Sequence, residues 1–173
     1  MFDPTAFENM KVVLDGAIYD EDISGKVQII DRNDLLNIAK LSRKYEITFT
    51  DSIEKKIHCT FMMEAGLENL AAELLPIAQT NRLAGCHLFV KFSFDHPNEV
   101  FTFQKINQIL KEIWGSDRTI TQTATLFPFK DTNIIKNETI ISFNRIVYED
   151  QIDDILLMID YMMISIEKLR GII

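Results

Sequence analysis

Apolar residues recur at helical spacing over 152–169, and they cover more than one face of the predicted helix. A broad stripe consists of positions 152, 155, 156, 158, 159, 162, 163, 166 and 169. A second, narrower stripe consists of Leu157, Tyr161 and Ile164. A surface helix needs one apolar stripe, whereas a helix that is apolar on two sides must be covered on both. Two alternatives follow: the helix is sandwiched inside the domain, or the second stripe is an oligomer interface with another copy of this chain.

The N-terminal part of the chain has a pattern that favours β-structure. Lys11–Tyr19 and Lys26–Ile30 are rich in Val and Ile, and the acidic stretch 20–25 joins them. This predicts a hairpin, so that a strand opens the fold. Asn33 is a suitable N-cap for a short helix carrying the apolar residues of 35–41.

Alternating patterns in the middle of the chain predict a second hairpin. Apolar and polar residues alternate over 45–50 and again over 56–63, so one face of this hairpin is apolar and the other is polar. Helical spacing follows from Leu67 to Ala78, and Pro76 should end or kink that helix near Leu75.

The second half of the chain predicts one more strand, a helix and a third hairpin before the last helix. Cys86–Phe94 is a strand, and Gly115 ends an amphipathic helix in which Trp114 is an expected anchor. Thr119–Phe127 and Glu138–Tyr148 are the strands of the third hairpin.

This order of elements predicts an α+β fold with a mainly antiparallel sheet and helices on one face. We expect a single domain over 1–173. After an N-terminal strand, two strand–helix–strand–strand–helix units would follow as pseudo-repeat halves, 26–78 and 86–171. The order resembles the tandem strand–helix–strand–strand modules of some bacterial ligand-binding domains. That resemblance implies a small-molecule groove between two pseudo-symmetric halves, and Phe89, Phe127 and Tyr148 are the aromatic residues expected to line it.

One local pattern is typical of a cation-binding loop. Asp20, Asp22 and Ser24 stand at positions 1, 3 and 5, and Asp31 stands at position 12, where such loops carry oxygen ligands. The competing interpretation is an acidic hairpin turn, because turns prefer the same residue types. The predicted strand before Asp20 favours the turn, since a calcium loop of this kind follows a helix.

The net charge and the known motifs that the sequence lacks limit which classes of function are expected. The net charge of −8 repels phosphate, so nucleic acid is not an expected partner. The sequence has no Gly-rich phosphate loop, nucleophile elbow or metalloprotease helix, and we expect no cofactor and no catalytic residues. The first residues lack the basic and apolar regions of a signal peptide, and acidic residues interrupt the last helix. A cytoplasmic chain with reduced thiols and no membrane contact is therefore expected.

Three functions remain open on this basis. The favoured hypothesis is a non-enzymatic binding or regulatory module that forms a homodimer through the C-terminal helix. The alternative is a small-molecule-binding domain with a pocket between its two halves, and a protein partner is also compatible with the pattern. An enzyme of unrecognised type is the third, and it would require His58 or His87 to meet an acidic residue inside a cleft.

Overall fold

A six-stranded antiparallel sheet carries all the helices on one of its faces, in a computed structural model that describes residues 6–75, 81–130 and 132–173. The strand order is β1-β2-β3-β4-β6-β5. In chain order, the helices and strands are α1 (Ala6–Ile23), β1 (Val27–Asn37), β2 (Ser42–Asp51), β3 (His58–Ala65), α2 (Leu67–Leu74), β4 (Cys86–Pro97), α3 (Val100–Trp114), β5 (Thr119–Thr125), β6 (Ile134–Val147) and α4 (Ile152–Arg170). The predicted α+β fold class is confirmed.

The fold begins with a helix, so the predicted N-terminal strand over Lys11–Tyr19 is wrong. Helix α1 buries Phe7, Met10, Leu14 and Ile18, which are spaced three or four residues apart and share one face of the helix. The β-propensity of the neighbouring Val and Ile residues is a weak preference, and burial of this stripe against the sheet outweighs it.

The short helix predicted after Asn33 is also wrong. Strand β1 continues to Asn37 and pairs with β2 residue by residue from Asp31 onward, which satisfies the backbone groups that a helix would otherwise satisfy internally. The Asn33 side chain donates to Asp31 within the strand and does not cap a helix. The apolar side chains of Leu35 and Leu36 are therefore exposed near the tip of the hairpin.

The central strands confirm the alternating pattern. Ile47 lies opposite Phe61, which lies opposite Val90, and all three side chains are buried on the face that carries the helices. The opposite face bears mixed side chains such as Thr48 and Lys91. One apolar face of the sheet is thus matched to one layer of helices.

The two predicted halves share only part of their order. The second unit has the predicted sequence β4-α3-β5-β6-α4, whereas the first lacks a helix between β1 and β2. Strands β1, β2 and β3 pair consecutively, but β4 pairs with β6 and leaves β5 at the edge. The strand pairing is therefore not repeated between the halves.

Helix α2 ends at Leu74, close to the predicted position, and Pro76 and Ala78 lie outside the described residues. Its predicted apolar stripe is not the buried face, because Leu67 and Leu74 are both more than half exposed. Asn69 is buried instead, and its side chain donates to the carbonyl of Leu83 at 2.9 Å. This polar contact fixes the orientation of a helix too short to be stable alone.

An ion network joins α1 to the first two strands. Lys11 and Arg43 both contact Glu8 and Asp34, with N···O distances of 2.6–2.9 Å, and Lys11 is 8% exposed. The Arg43 guanidinium, aided by Lys11, lowers the pKa of Asp34 from 3.8 to about 2. The ionised carboxylate is therefore bound more favourably in the folded state than in the unfolded state.

Replacing Asp34 by Asn is expected to lower the free energy of unfolding by about 1 kcal/mol near neutral pH, a value discounted for the partly exposed carboxylate. The Asp34 contribution is fully present above its unfolded pKa of 3.8 and is lost as the pH falls toward 2. The difference between variant and wild type should therefore shrink over that interval in urea unfolding curves. Asp31→Asn, on the opposite face of the same strand, is the control. A difference that does not change with pH would contradict this account.

Candidate functional site

Helix α4 buries one broad face and leaves the second stripe open. Six apolar side chains of the broad stripe are buried: Ile155, Met158, Ile159, Met162, Ile166 and Leu169. In contrast, Leu157, Tyr161 and Ile164 are 56%, 44% and 41% exposed. The alternative in which this helix is sandwiched inside the domain is wrong, because the chain's own described elements leave the second stripe uncovered. The interface alternative stays a prediction.

The exposed stripe ends in opposite charges. Asp154, Leu157, Tyr161, Ile164 and Lys168 follow one another at intervals of three and four residues, which places them along one line of the helix. Asp154 and Lys168 are both exposed. The stripe therefore has an apolar centre, an acidic N-terminal end and a basic C-terminal end.

A cleft of about 250 Å³ lies beside this stripe, on the helical side of the sheet between α3, β6 and α4. Its apolar walls come from all three elements and from β4. They comprise Leu88, Trp114, Phe143, Val147, Ile155 and Met158. Asp154, Leu157 and Tyr161 also line it, so the stripe forms one edge of the cleft.

Trp114 is the anchor of this cleft. Its indole Nε1 donates to Ser165 Oγ at 2.9 Å, and that hydroxyl donates in turn to the Tyr161 carbonyl at 2.7 Å. Its ring meets those of Phe143 and Tyr161 edge to face, each at a centroid distance of 5.7 Å. These contacts fix the aromatic surface before any ligand arrives.

Two guanidinium groups line the same cleft. The Cζ of Arg118 lies 4.8 Å from the ring centroid of Phe143, which is within cation–π range of the aromatic ring. Its Nε atom is buried, and no hydrogen bond or ion pair within the described residues engages the Arg118 side chain. Arg145 donates to Gln151 Oε1 at 3.2 Å. An apolar cleft with an unengaged guanidinium can bind an anionic group.

The aromatic residues predicted to line a pocket are not brought together. Phe89 is partly buried in β4, and Phe127 is 44% exposed beyond β5, beneath the ammonium of Lys130. Tyr148 lines a different cleft near the start of α4, and its hydroxyl donates to the Arg82 carbonyl at 2.9 Å. The cleft at Trp114 contains none of these three side chains.

The predicted cation-binding residues lie on two different elements. Asp20 and Asp22 belong to the last turn of α1, and Asp31 belongs to β1, where it accepts from the Arg32 amide. Ser24 donates to the Glu21 carbonyl and so closes the turn between them. Within the described ranges, no group of three or more His, Cys, Asp or Glu side chains is placed to hold a metal ion.

An exposed histidine and a carboxylate lie opposite each other on neighbouring strands beside one cleft, but the carboxylate is already engaged in an ion pair. His87 lies opposite Glu64 in the β3–β4 pair, and both line a cleft of about 820 Å³, but Glu64 is paired with Lys44 at 3.3 Å. The neighbouring Cys86 is on the buried side of the sheet, and burial raises the pKa of its thiol to about 12. A thiolate is therefore disfavoured at this position.

His96 is buried in a polar network that links β4 and β6. Its Nδ1 donates to the Pro97 carbonyl at 2.7 Å, and its Nε2 accepts from Asn137 at 2.9 Å. Both ring nitrogens are thus engaged in hydrogen bonds, and the side chain is 2% exposed. This network is structural, because a substrate cannot reach it.

No family model, curated protein or solved structure matches this chain. None of the described helices combines the length and the apolar character needed to cross a membrane. The evidence for function therefore lies in the geometry of α4 and the adjoining cleft.

Proposed function

We propose that this chain is a non-enzymatic binding module that forms a homodimer through the exposed stripe of α4. The observation that carries the proposal is the exposure of Leu157, Tyr161 and Ile164 in a single line on one helix. Aligned apolar side chains of this kind gain free energy when a second surface removes them from water. A second copy of the chain presents a surface of matching shape and length.

Charge complementarity favours a second copy in the antiparallel direction. Two copies of α4 that cross near Tyr161 bring Asp154 of one chain next to Lys168 of the partner subunit, at both ends of the contact. A parallel arrangement would instead place like charges together. An isologous twofold contact therefore contains this Asp154–Lys168 pair twice, once at each end.

The acidic flank of the stripe limits the affinity. Asp153, Asp160 and Glu167 run along one side of it, and in an antiparallel pair the two flanks lie side by side. Their repulsion opposes the apolar gain, so we expect a dimer with a dissociation constant in the micromolar range.

Replacing Ile164 by Glu is expected to weaken the dimer by at least about 100-fold, because a carboxylate would be buried in the contact of both copies. Sedimentation velocity from low to high micromolar concentration measures the change. Wild type should approach twice the chain mass of 20.0 kDa, and the variant should stay at that mass. Val12→Glu is the control, since Val12 is an exposed apolar residue on α1. A wild type that remains monomeric throughout would refute the proposal.

Charge reversal tests the antiparallel orientation. Lys168→Glu alone is expected to weaken the dimer by about 3- to 10-fold, since each end would then place two carboxylates together. Adding Asp154→Lys to the same chain restores opposite charges and should recover most of the affinity. Additive losses in the double variant would contradict the antiparallel pair.

A further inference from the structure

We propose that the cleft between α3, β6 and α4 binds a small organic monocarboxylate with an apolar body. The proposal goes beyond the dimer, because a single chain supplies every residue of the cleft. Its volume of about 250 Å³ is slightly below the usual range for drug-sized ligands, which indicates a compact molecule such as an arylalkyl or short branched acid.

Arg118 is the group that would recognise the carboxylate. Its Cζ lies 4.8 Å from the centroid of the Phe143 ring, and no hydrogen bond or ion pair among the described residues occupies its N–H groups. The buried Nε is closed to solvent and to the cleft, so the two terminal amino groups of Arg118 are the donors available to a ligand. A carboxylate can accept two parallel N–H bonds from the two terminal amino groups of a guanidinium.

The charges around the cleft favour a single negative charge on the ligand. Arg118 and Arg145 contribute two positive charges, and Asp154 contributes one negative charge. The sum is one positive charge, which matches a monoanion better than a dianion or a cation. The opposing Asp154 also disfavours a second carboxylate at the α4 side of the cleft.

The apolar walls define the rest of the ligand. Trp114 and Phe143 are held edge to face, so an aromatic or branched aliphatic group can contact the indole without displacing it. Leu88 and Met158 complete the apolar surface, and a flexible thioether adapts to ligands of different outline. The cleft thus combines one charged anchor with an apolar body site, as ligand pockets commonly do.

Trp114 is the only tryptophan of the chain and lines the cleft, so its fluorescence reports binding directly. We expect sodium phenylacetate to change the emission saturably, and its neutral analogue 2-phenylacetamide and the cation phenethylamine to bind at least about tenfold more weakly. Absence of saturable binding by phenylacetate would overturn the proposal. Equal binding of the amide would also overturn it, because the cleft would then be merely apolar.

Arg118→Gln is the decisive variant. It should weaken phenylacetate binding by at least about tenfold, whereas Arg82→Gln, which changes an exposed arginine remote from the cleft lining, should leave the affinity unchanged. Unchanged affinity in a folded Arg118→Gln variant would overturn the proposal. Should that variant fail to fold, the comparison of phenylacetate with its amide on the wild type decides alone.

The Ile164→Glu variant separates this site from the dimer, because Ile164 does not line the cleft. Phenylacetate should bind this variant as tightly as it binds wild type at protein concentrations low enough for wild type to be monomeric. Loss of binding in the folded variant would contradict a site formed by one chain. A wild type that is monomeric yet binds phenylacetate would refute the dimer and leave the carboxylate site supported.

Discussion

Replacing Leu14 by Ala is expected to lower the free energy of unfolding by about 2–5 kcal/mol. The Leu14 side chain is fully buried in the stripe of α1 that contacts the sheet and α4, so its truncation removes apolar contacts and leaves a cavity. Val12→Ala should change the free energy by no more than about 0.5 kcal/mol, in the stabilising direction, because Val12 is exposed and Ala is the better helix former. Urea unfolding followed by Trp114 fluorescence measures both values.

This pair of variants distinguishes a helix from a strand over the same residues. Positions 12 and 14 would face the same side of a strand, whereas in a helix they point about 200° apart around the axis. Similar losses in the free energy of unfolding at both positions would contradict the helix. A loss of stability at position 14 and a small gain at position 12 are expected only if α1 buries one stripe and exposes the other.

Replacing Gly85 by Ala is expected to destabilise the fold by about 1–3 kcal/mol or more, because the added methyl group has no room. A Cβ at this position would lie 2.4 Å from the Val147 carbonyl oxygen and 2.6 Å from Ile146 Cγ2. The nearer atom belongs to the backbone of β6, so relief requires movement of a strand. Thermal and urea unfolding against wild type give the size of the effect.

Gly16→Ala is the matched control for this substitution. Gly16 is exposed inside α1, and a Cβ there would meet nothing within 4 Å. Removing a helix-interior glycine should stabilise the protein by about 0.5–1 kcal/mol. A Gly85→Ala variant as stable as wild type would show that β4 and β6 approach less closely than the structure indicates.

The close approach of Gly85 to Val147 also affects the candidate site. Val147 lines the cleft and ends β6, shortly before α4 begins. A shift of this strand end would move Val147 relative to Trp114 and Arg118. We therefore expect Gly85→Ala to weaken both the fold and phenylacetate binding.

The elements that could be predicted are those whose signal lies within their own residues. Helix α4 repeats its apolar spacing over five turns, and apolar and polar residues alternate over most of the hairpin of β2 and β3, so each pattern predicts one type of element. Over residues 6–23, the β-propensity of individual residues and the helical spacing of the apolar residues predict different elements. Valine and isoleucine favour a strand, while Phe7, Met10 and Leu14 keep helical spacing, and packing against the sheet decides between them.

The C-terminal part of strand β1 could not be predicted from its own residues. This part contains residues that suit a short helix, yet each of them pairs with a residue of β2. That pairing depends on the partner strand and on the turn between them, neither of which the pattern over 33–41 contains. The same limit applies to α2, whose buried Asn69 reaches the carbonyl of Leu83 beyond the end of the helix.

One part of the candidate site could be predicted from the sequence and the other part could not. Leu157, Tyr161 and Ile164 were found from sequence because they lie on one helix, and periodicity alone aligns them. Arg118 and Phe143 come from a turn and a strand that are 25 positions apart, and neither stands in a recognisable motif. The predicted third hairpin brings the start of β5 near the second half of β6, but the register that sets Arg118 beside Phe143, and the packing of α3 against α4, could not be read from the sequence.

The sequence by itself determined the α+β class, the alternating strands of the sheet centre and the two apolar stripes of α4, because each follows from a repeat within a short segment. The tertiary structure decided that a helix precedes the first strand, that the second stripe is open and that an arginine lies close to an aromatic ring beside it. The physical reason is that burial and unpaired hydrogen-bonding groups depend on neighbours distant in the chain, whereas periodicity depends only on adjacent turns and alternate residues.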